Sequence, residues 1–189
     1  LFHEYLINEK LLHGIEVVNE TTYSEEALKI ALDNNLTILG TSDIHGLTDW
    51  EHKIPLGGHR PMTLVKVKDK SEDSFKKALF EGKTVVWFKN LLIGKEEHLK
   101  SLIRQNLVFG PLKYLDGKLI MKVELANKSM NPFQLEYLGE FSFHQRSNII
   151  SIPAKSKIIL QIKTRLKKSK ISLPFKILNT AIAPKKMLL

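Results

Sequence analysis

The chain has 189 residues, 43% hydrophobic and 26% charged, with a formal net charge of +9 and no cysteine. No apolar run approaches the roughly 18–20 residues a membrane-spanning helix needs, and disulfides, thiolate metal sites and cysteine nucleophiles are excluded. Any metal site must therefore use His, Asp, Glu and water. The charge is uneven: residues 1–93 carry 11 Lys/Arg against 14 Asp/Glu, and residues 94–189 carry 18 against 6. Five of the seven histidines lie in the first part. Two compositions in one chain point to two domains. A chain that opens on Leu1 is expected to lack its natural start, so the lack of a signal peptide leaves a periplasmic or a cytoplasmic location equally open.

The first part alternates strand and helix signals. Gly14-Ile-Glu-Val-Val-Asn19 reads as a short buried strand. A helix starts at Thr22 or Ser24, with Glu25 placed to complete a capping box from Thr22. Ala27, Leu28, Ala31 and Leu32 recur at helical spacing, and Asn34-Asn35 is the stop. Residues 36–41 form the next strand, followed by a polar loop from Ser42 to Pro61. A third strand covers residues 62–67. Ser71 opens a second helix with Phe75, Ala78 and Leu79 inward and Gly82 at its end, and a fourth strand covers residues 84–88. Strand, helix, strand at these spacings predicts parallel crossovers and an α/β unit over residues 1–93. Four strands are too few to close a barrel but suit the last strands of one.

Lys95 to Asn106 reads as a helix with Leu99, Leu102 and Ile103 on one side, linking the parts over residues 94–106. Beyond it, six short strand signals (118–126, 133–138, 140–145, 148–152, 157–164 and 171–180) are separated by turn residues such as Asp116-Gly117 and Asn131-Pro132. That spacing predicts an antiparallel β-sandwich over residues 107–189.

The chemistry concentrates in Thr41-Ser-Asp43-Ile-His45-Gly46, directly after a buried strand. Ligands gather at the carboxyl ends of strands in α/β units. In extended backbone, residues two apart point the same way, so Asp43 and His45 would present a carboxylate and an imidazole to one spot. That donor pair suits zinc, manganese or iron. Gly46 would let the chain turn away. The residues alone leave two readings open: a metal-ligand pair, or an Asp43 turn cap beside an exposed His45. Asn19, at the end of its strand, can reach the same cleft, whereas Glu16 is expected to lie deeper. His59 and Arg60 follow Gly57-Gly58 in the long loop and are candidate contacts for a substrate phosphate. Asp49, Trp50 and His52 are candidates for a cleft wall.

The run from Gly14 to Gly46 resembles the end of PHP-superfamily phosphoesterases, which close their active site with a D-x-H motif. Leu56-Gly-Gly-His-Arg-Pro-Met-Thr-Leu-Val65 and Lys83-Thr-Val-Val-Trp-Phe-Lys-Asn-Leu-Leu-Ile-Gly94 resemble more specifically a bacterial Sb-PDE-type phosphodiesterase subfamily, in which an Ig-like domain follows the PHP domain. The resemblance implies the C-terminal part of a distorted (β/α)7 barrel followed by an Ig-like sandwich. It also implies two or three divalent metal ions (Mn, Zn or Fe), with Asp43 and His45 as metal ligands in the hydrolysis of phosphodiesters or phosphomonoesters. The family's upstream H-x-H motif has no counterpart here, since His3 and His13 stand singly. The fragment is therefore expected to be inactive alone.

The basic run Lys163-Thr-Arg-Leu-Lys-Lys-Ser-Lys170 supports the alternative function, a non-catalytic remnant whose sandwich binds an anionic partner. A solvated hairpin tip explains the same run, and no aromatic residue interleaves with it, so no specific nucleic-acid partner is expected. The oligomeric state is left open.

Overall fold

A computed structural model describes residues 2–189, which divide into two compact units. The first holds residues up to Leu99 together with Thr180–Lys186, and the second holds Lys100–Asn179 and Met187–Leu189. Within the segment expected as a single sandwich, residues 180–186 thus belong with the α/β unit.

The first unit begins with helix α1 (Phe2–Asn8) and strand β1 (Gly14–Asn19), which forms a two-residue hairpin ladder with β2 (Thr22–Tyr23). Helix α2 (Glu25–Asp33) then crosses over to β3 (Thr37–Thr41), which lies parallel to β1. The cap of α2 is Ser24, whose Oγ accepts from the Ala27 amide at 3.1 Å. The expected Thr22–Glu25 capping box does not form, because Thr22 is paired with Asn19 in β2. Asn35 closes the helix at φ 53°, a left-handed turn that Asn tolerates. Leu28 and Ala31 are fully buried with Val17, Val18 and Ile38.

β1 is not a regular strand. Its register against β3 shifts between Glu16 and Val18. The extra residue breaks the alternation of faces. Val17 and Val18 both enter the core, while Glu16 and Asn19, three apart, share the exposed face.

The long loop after β3 contains a helical turn α3 (Thr48–Glu51) and a 3-10 turn over Ile54–Leu56. Strands β4 (Met62–Val65), β5 (Thr84–Phe88) and β6 (Leu91–Gly94) then form an antiparallel ladder, with helix α4 (Glu72–Phe80) between β4 and β5. A parallel crossover was expected here. Instead the Lys66 amide donates to the Lys83 carbonyl at 2.9 Å, so the helical excursion returns to the end of the sheet it left. A crossover requires the connection to reach the opposite end. Ser71 caps α4 by accepting from the Ser74 amide, and Gly82 ends it at φ 65°, as expected, but Phe75 is exposed rather than inward. The helix α5 (Glu96–Asn106) follows, with Leu99 and Ile103 buried.

The edge of β3 away from β1 is closed by hydroxyls rather than by a strand. Thr84 Oγ1 donates to the Ile38 carbonyl at 2.7 Å. Thr63 Oγ1 donates to the Gly40 carbonyl and accepts from the Gly40 amide, both at 2.9 Å. The backbone approaches closely there because residue 40 has no side chain: a Cβ would lie 2.4 Å from Val86 Cγ1. Among the described residues the first unit therefore contains two sheets, β2-β1-β3 and a four-stranded one, not the run of parallel barrel strands that was expected.

The second unit is antiparallel throughout. Strands β7 (Leu107–Phe109), β8 (Lys113–Tyr114), β9 (Ile120–Asn127), β10 (Phe133–Tyr137), β11 (Ser142–Phe143), β12 (Ile149–Ile152), β13 (Ser156–Lys163) and β14 (Phe175–Ile177) form sheets ordered β11-β13-β9-β7 and β12-β10-β14, with β8 also on β9. Alternate residues are buried along β9 (Met121, Val123, Leu125) and β10 (Phe133, Leu135, Tyr137), the pattern of a sheet with one inner face. Asn127 is 2% exposed and uses its whole amide. Nδ2 donates to the Asn131 and Pro153 carbonyls, and Oδ1 accepts from the Ser129 amide and hydroxyl. The last strand, β15 (Thr180–Ala181), pairs parallel with β6 in the first unit's second sheet.

Three outcomes follow for stability in urea titrations. Gly40→Ala forces a Cβ into Val86 and is expected to destabilise by about 1–3 kcal/mol, the usual cost of overpacking. Asn127→Ala removes four hydrogen bonds at a buried turn and is expected to cost about 2–3 kcal/mol. Tyr23 has a buried hydroxyl with no hydrogen-bond partner, and burial, reinforced by the Glu25 carboxylate, pushes its pKa up to about 12. A raised pKa means the native state holds the phenol proton more tightly than the unfolded chain. That stabilisation is complete below the ordinary tyrosine pKa and is lost as pH rises through about 12. Tyr23→Phe should flatten the alkaline limb and leave neutral-pH stability unchanged or slightly higher.

Candidate active site

The carboxyl ends of β1 and β3 lie side by side, with Asn19 in register with Thr41. Two residues beyond Thr41, the chain turns at Asp43, whose φ is 41°. Asp is among the few residue types that occupy this left-handed region. The extended backbone assumed for Asp43 and His45 is therefore absent, whereas the chain does bend at His45–Gly46, as assigned, without a positive φ at the glycine. The turn nevertheless brings the pair together: His45 Nε2 lies 3.5 Å from Asp43 Oδ1. The His45 side chain is 80% exposed and that of Asp43 49%. A Cβ at Gly46 would lie 2.5 Å from Glu51 Oε1, the tip of a flexible, exposed side chain that can swing aside.

Asn19 reaches this pair, as its position at the strand end suggested. Its Nδ2 lies 3.4 Å from Asp43 Oδ2 and 2.8 Å from Glu16 Oε2. Glu16 also accepts from the Thr41 hydroxyl through Oε1. Thr41, Glu16, Asn19, Asp43 and His45 thus form one continuous polar chain on the exposed face. Glu16 and Thr41 are the members that sequence reasoning missed. Regular alternation would have sent Glu16 and Asn19 to opposite faces, and the bulge has no signature in Gly14–Asn19.

His59 and Arg60 are placed differently. His59 Nδ1 lies 2.8 Å from the Arg60 carbonyl and Nε2 lies 2.7 Å from the Lys89 carbonyl. Its ring packs on Trp87 with centroids 4.1 Å apart. Both ring nitrogens face carbonyl oxygens, so in this arrangement His59 ties the loop to the β5–β6 turn and has no nitrogen left for a phosphate. The Arg60 guanidinium is exposed, and no hydrogen bond or ion pair joins it to Asp43 or His45 among the described residues. Trp50, a candidate for a cleft wall, is 78% exposed. In the basic run, Lys168 pairs with Glu140 at 3.2 Å and lies over the Phe141 ring.

The donor types of Asp43 and His45, oxygen and nitrogen, suit a borderline divalent cation. Their number does not. Such sites take four to six donors, and among the described residues no three His, Asp or Glu side chains converge. These residues alone do not make a complete metal site.

Residues 107–189 match a family model described as an Ig-like domain. No curated protein matches the chain. The fold is similar to the crystal structure, at 2.20 Å resolution, of a two-domain protein from Bacteroides vulgatus ATCC 8482 described as containing a predicted PHP-like metal-dependent phosphoesterase. The TM-score is 0.89 at 26% sequence identity, over 98% of this chain and 54% of the other. The chain therefore spans about half the length of the protein it resembles, and it ends in an Ig-like domain.

Proposed function

We propose that this chain is the part of a PHP-type phosphoesterase that contributes Asp43 and His45 to a divalent-metal site, and that the complete enzyme hydrolyses phosphodiester or phosphomonoester bonds. The observation that carries this reading is the carboxylate and imidazole held 3.5 Å apart at the carboxyl end of β3. The fold likeness to a PHP-like protein supports it. The remaining donors come from outside the described residues.

A bound Mn, Zn or Fe ion would supply Lewis-acid activation of the phosphoryl group and of a water. The chain's own residues do the rest by position. Asp43 and His45 are open to solvent, so substrate and ion reach them without movement of the described residues. Arg60 offers a planar, permanently charged guanidinium to a phosphate. His59 supports it by holding the Arg60 carbonyl. The resemblance of residues 56–65 and 83–94 to the Sb-PDE-type subfamily supports phosphodiesters over monoesters.

In the complete enzyme, Asp43→Ala and His45→Ala are each expected to lower hydrolysis of bis-p-nitrophenyl phosphate by about 10²-fold or more, with thermal unfolding unchanged. Arg60→Ala should act chiefly on KM. The 189-residue chain alone should show no turnover with added Mn²⁺ or Zn²⁺. Full activity in both the Asp43 and His45 variants would refute the assignment.

A further inference from the structure

The carboxylates of Glu16 and Asp43 settle the orientation of the amide between them. An ionised carboxylate only accepts hydrogen bonds, so the Asn19 atom facing both must be Nδ2. Its two hydrogens are then fully used: one goes to Glu16 Oε2 at 2.8 Å, the other to Asp43 Oδ2 at 3.4 Å. Asn19 has nothing left to donate to a phosphate. Its free atom is Oδ1, an acceptor, which takes a water or a substrate hydroxyl and not a phosphate oxygen.

Glu16 is engaged at both oxygens, by Asn19 and by the Thr41 hydroxyl. Each carboxylate oxygen is thus oriented by one hydrogen bond. Both of its partners come from the ends of the strands that carry the site, one on β1 and one on β3. The contact from Asn19 to Glu16 is the tighter of its two, so Glu16 sets the amide and the amide in turn meets Asp43. The hydrogens between the two carboxylates also offset their mutual repulsion.

We propose that Glu16 is a positioning residue: through the Asn19 amide it orients the Asp43 carboxylate, and Asn19 acts as the relay rather than as a phosphate donor. The catalytic consequence rests on the phosphoesterase reading, whereas the geometry does not.

Two measurements separate the two ideas. In the 189-residue chain, the side-chain NH₂ signals of Asn19 are followed by ¹H–¹⁵N NMR at fixed pH. Glu16→Gln should speed their exchange with solvent and shift them, and should also shift the Asp43 carboxyl ¹³C resonance. Glu16→Asp, which keeps the charge but shortens the reach, serves if Glu16→Gln does not fold. In the complete enzyme, Glu16→Gln should lower kcat for bis-p-nitrophenyl phosphate about tenfold with little change in KM or thermal midpoint. The Glu16→Gln/Asn19→Ala double variant should be no slower than Asn19→Ala alone, because Glu16 acts through Asn19. A purely structural role would instead give additive losses. Unchanged Asn19 and Asp43 resonances in the Glu16 variants would overturn the relay. So would an unchanged kcat when Asp43→Ala abolishes turnover, and the phosphoesterase reading would then stand. If Asp43→Ala leaves turnover intact, that reading falls, and the NMR arm still decides the relay.

Discussion

One extra residue in β1 governs what this site contains. A regular strand sends alternate side chains to opposite faces, so burying Val18 would also have buried Glu16 and turned Val17 outward. The register shift between Glu16 and Val18 removes that constraint. Two valines enter the core beneath α2, and two polar residues emerge together on the other face. The hydrophobic gain of burying both valines and the assembly of the polar chain therefore depend on the same local irregularity. Bulges beside functional sites re-aim side chains, and here the re-aimed group is a carboxylate with two donors.

The second requirement is that β3 stay fixed although no strand pairs its outer edge. An open edge in a half-buried position would leave backbone groups without partners. Thr63 and Thr84 meet them with hydroxyl groups, and Gly40 lets Val86 approach to within the space a Cβ would fill. β-Branched threonines suit their own strands and still place an oxygen at the neighbouring backbone. This arrangement holds the strand whose end carries Asp43 without a continuous ladder. It also explains why the α/β unit is stitched from two sheets rather than one.

The metal question turns on number rather than kind. A carboxylate and an imidazole are suitable donors, and the left-handed turn at Asp43 keeps them within reach of one another. Two donors cannot fill a coordination shell, so the described residues by themselves do not hold a divalent ion. The chain spans about half the length of the PHP-like protein whose fold it resembles.

Much of the architecture was legible locally. Ser24, Ser71 and Gly82 mark helix ends through backbone preferences that act within one turn. The period-two burial of β9 and β10 is likewise written in successive residues. The Asp43–His45 pair stood out because it directly follows a strand. Other features were decided only by partners distant in sequence. The bulge in β1 depends on the register imposed by β3. The antiparallel β4–β5 pairing depends on where the helical excursion returns. The pairing of β15 with β6 joins residues nearly 90 positions apart, which no local pattern encodes. Residue type and spacing thus determined which groups were available for chemistry, whereas strand register, a long-range property, decided which of them meet.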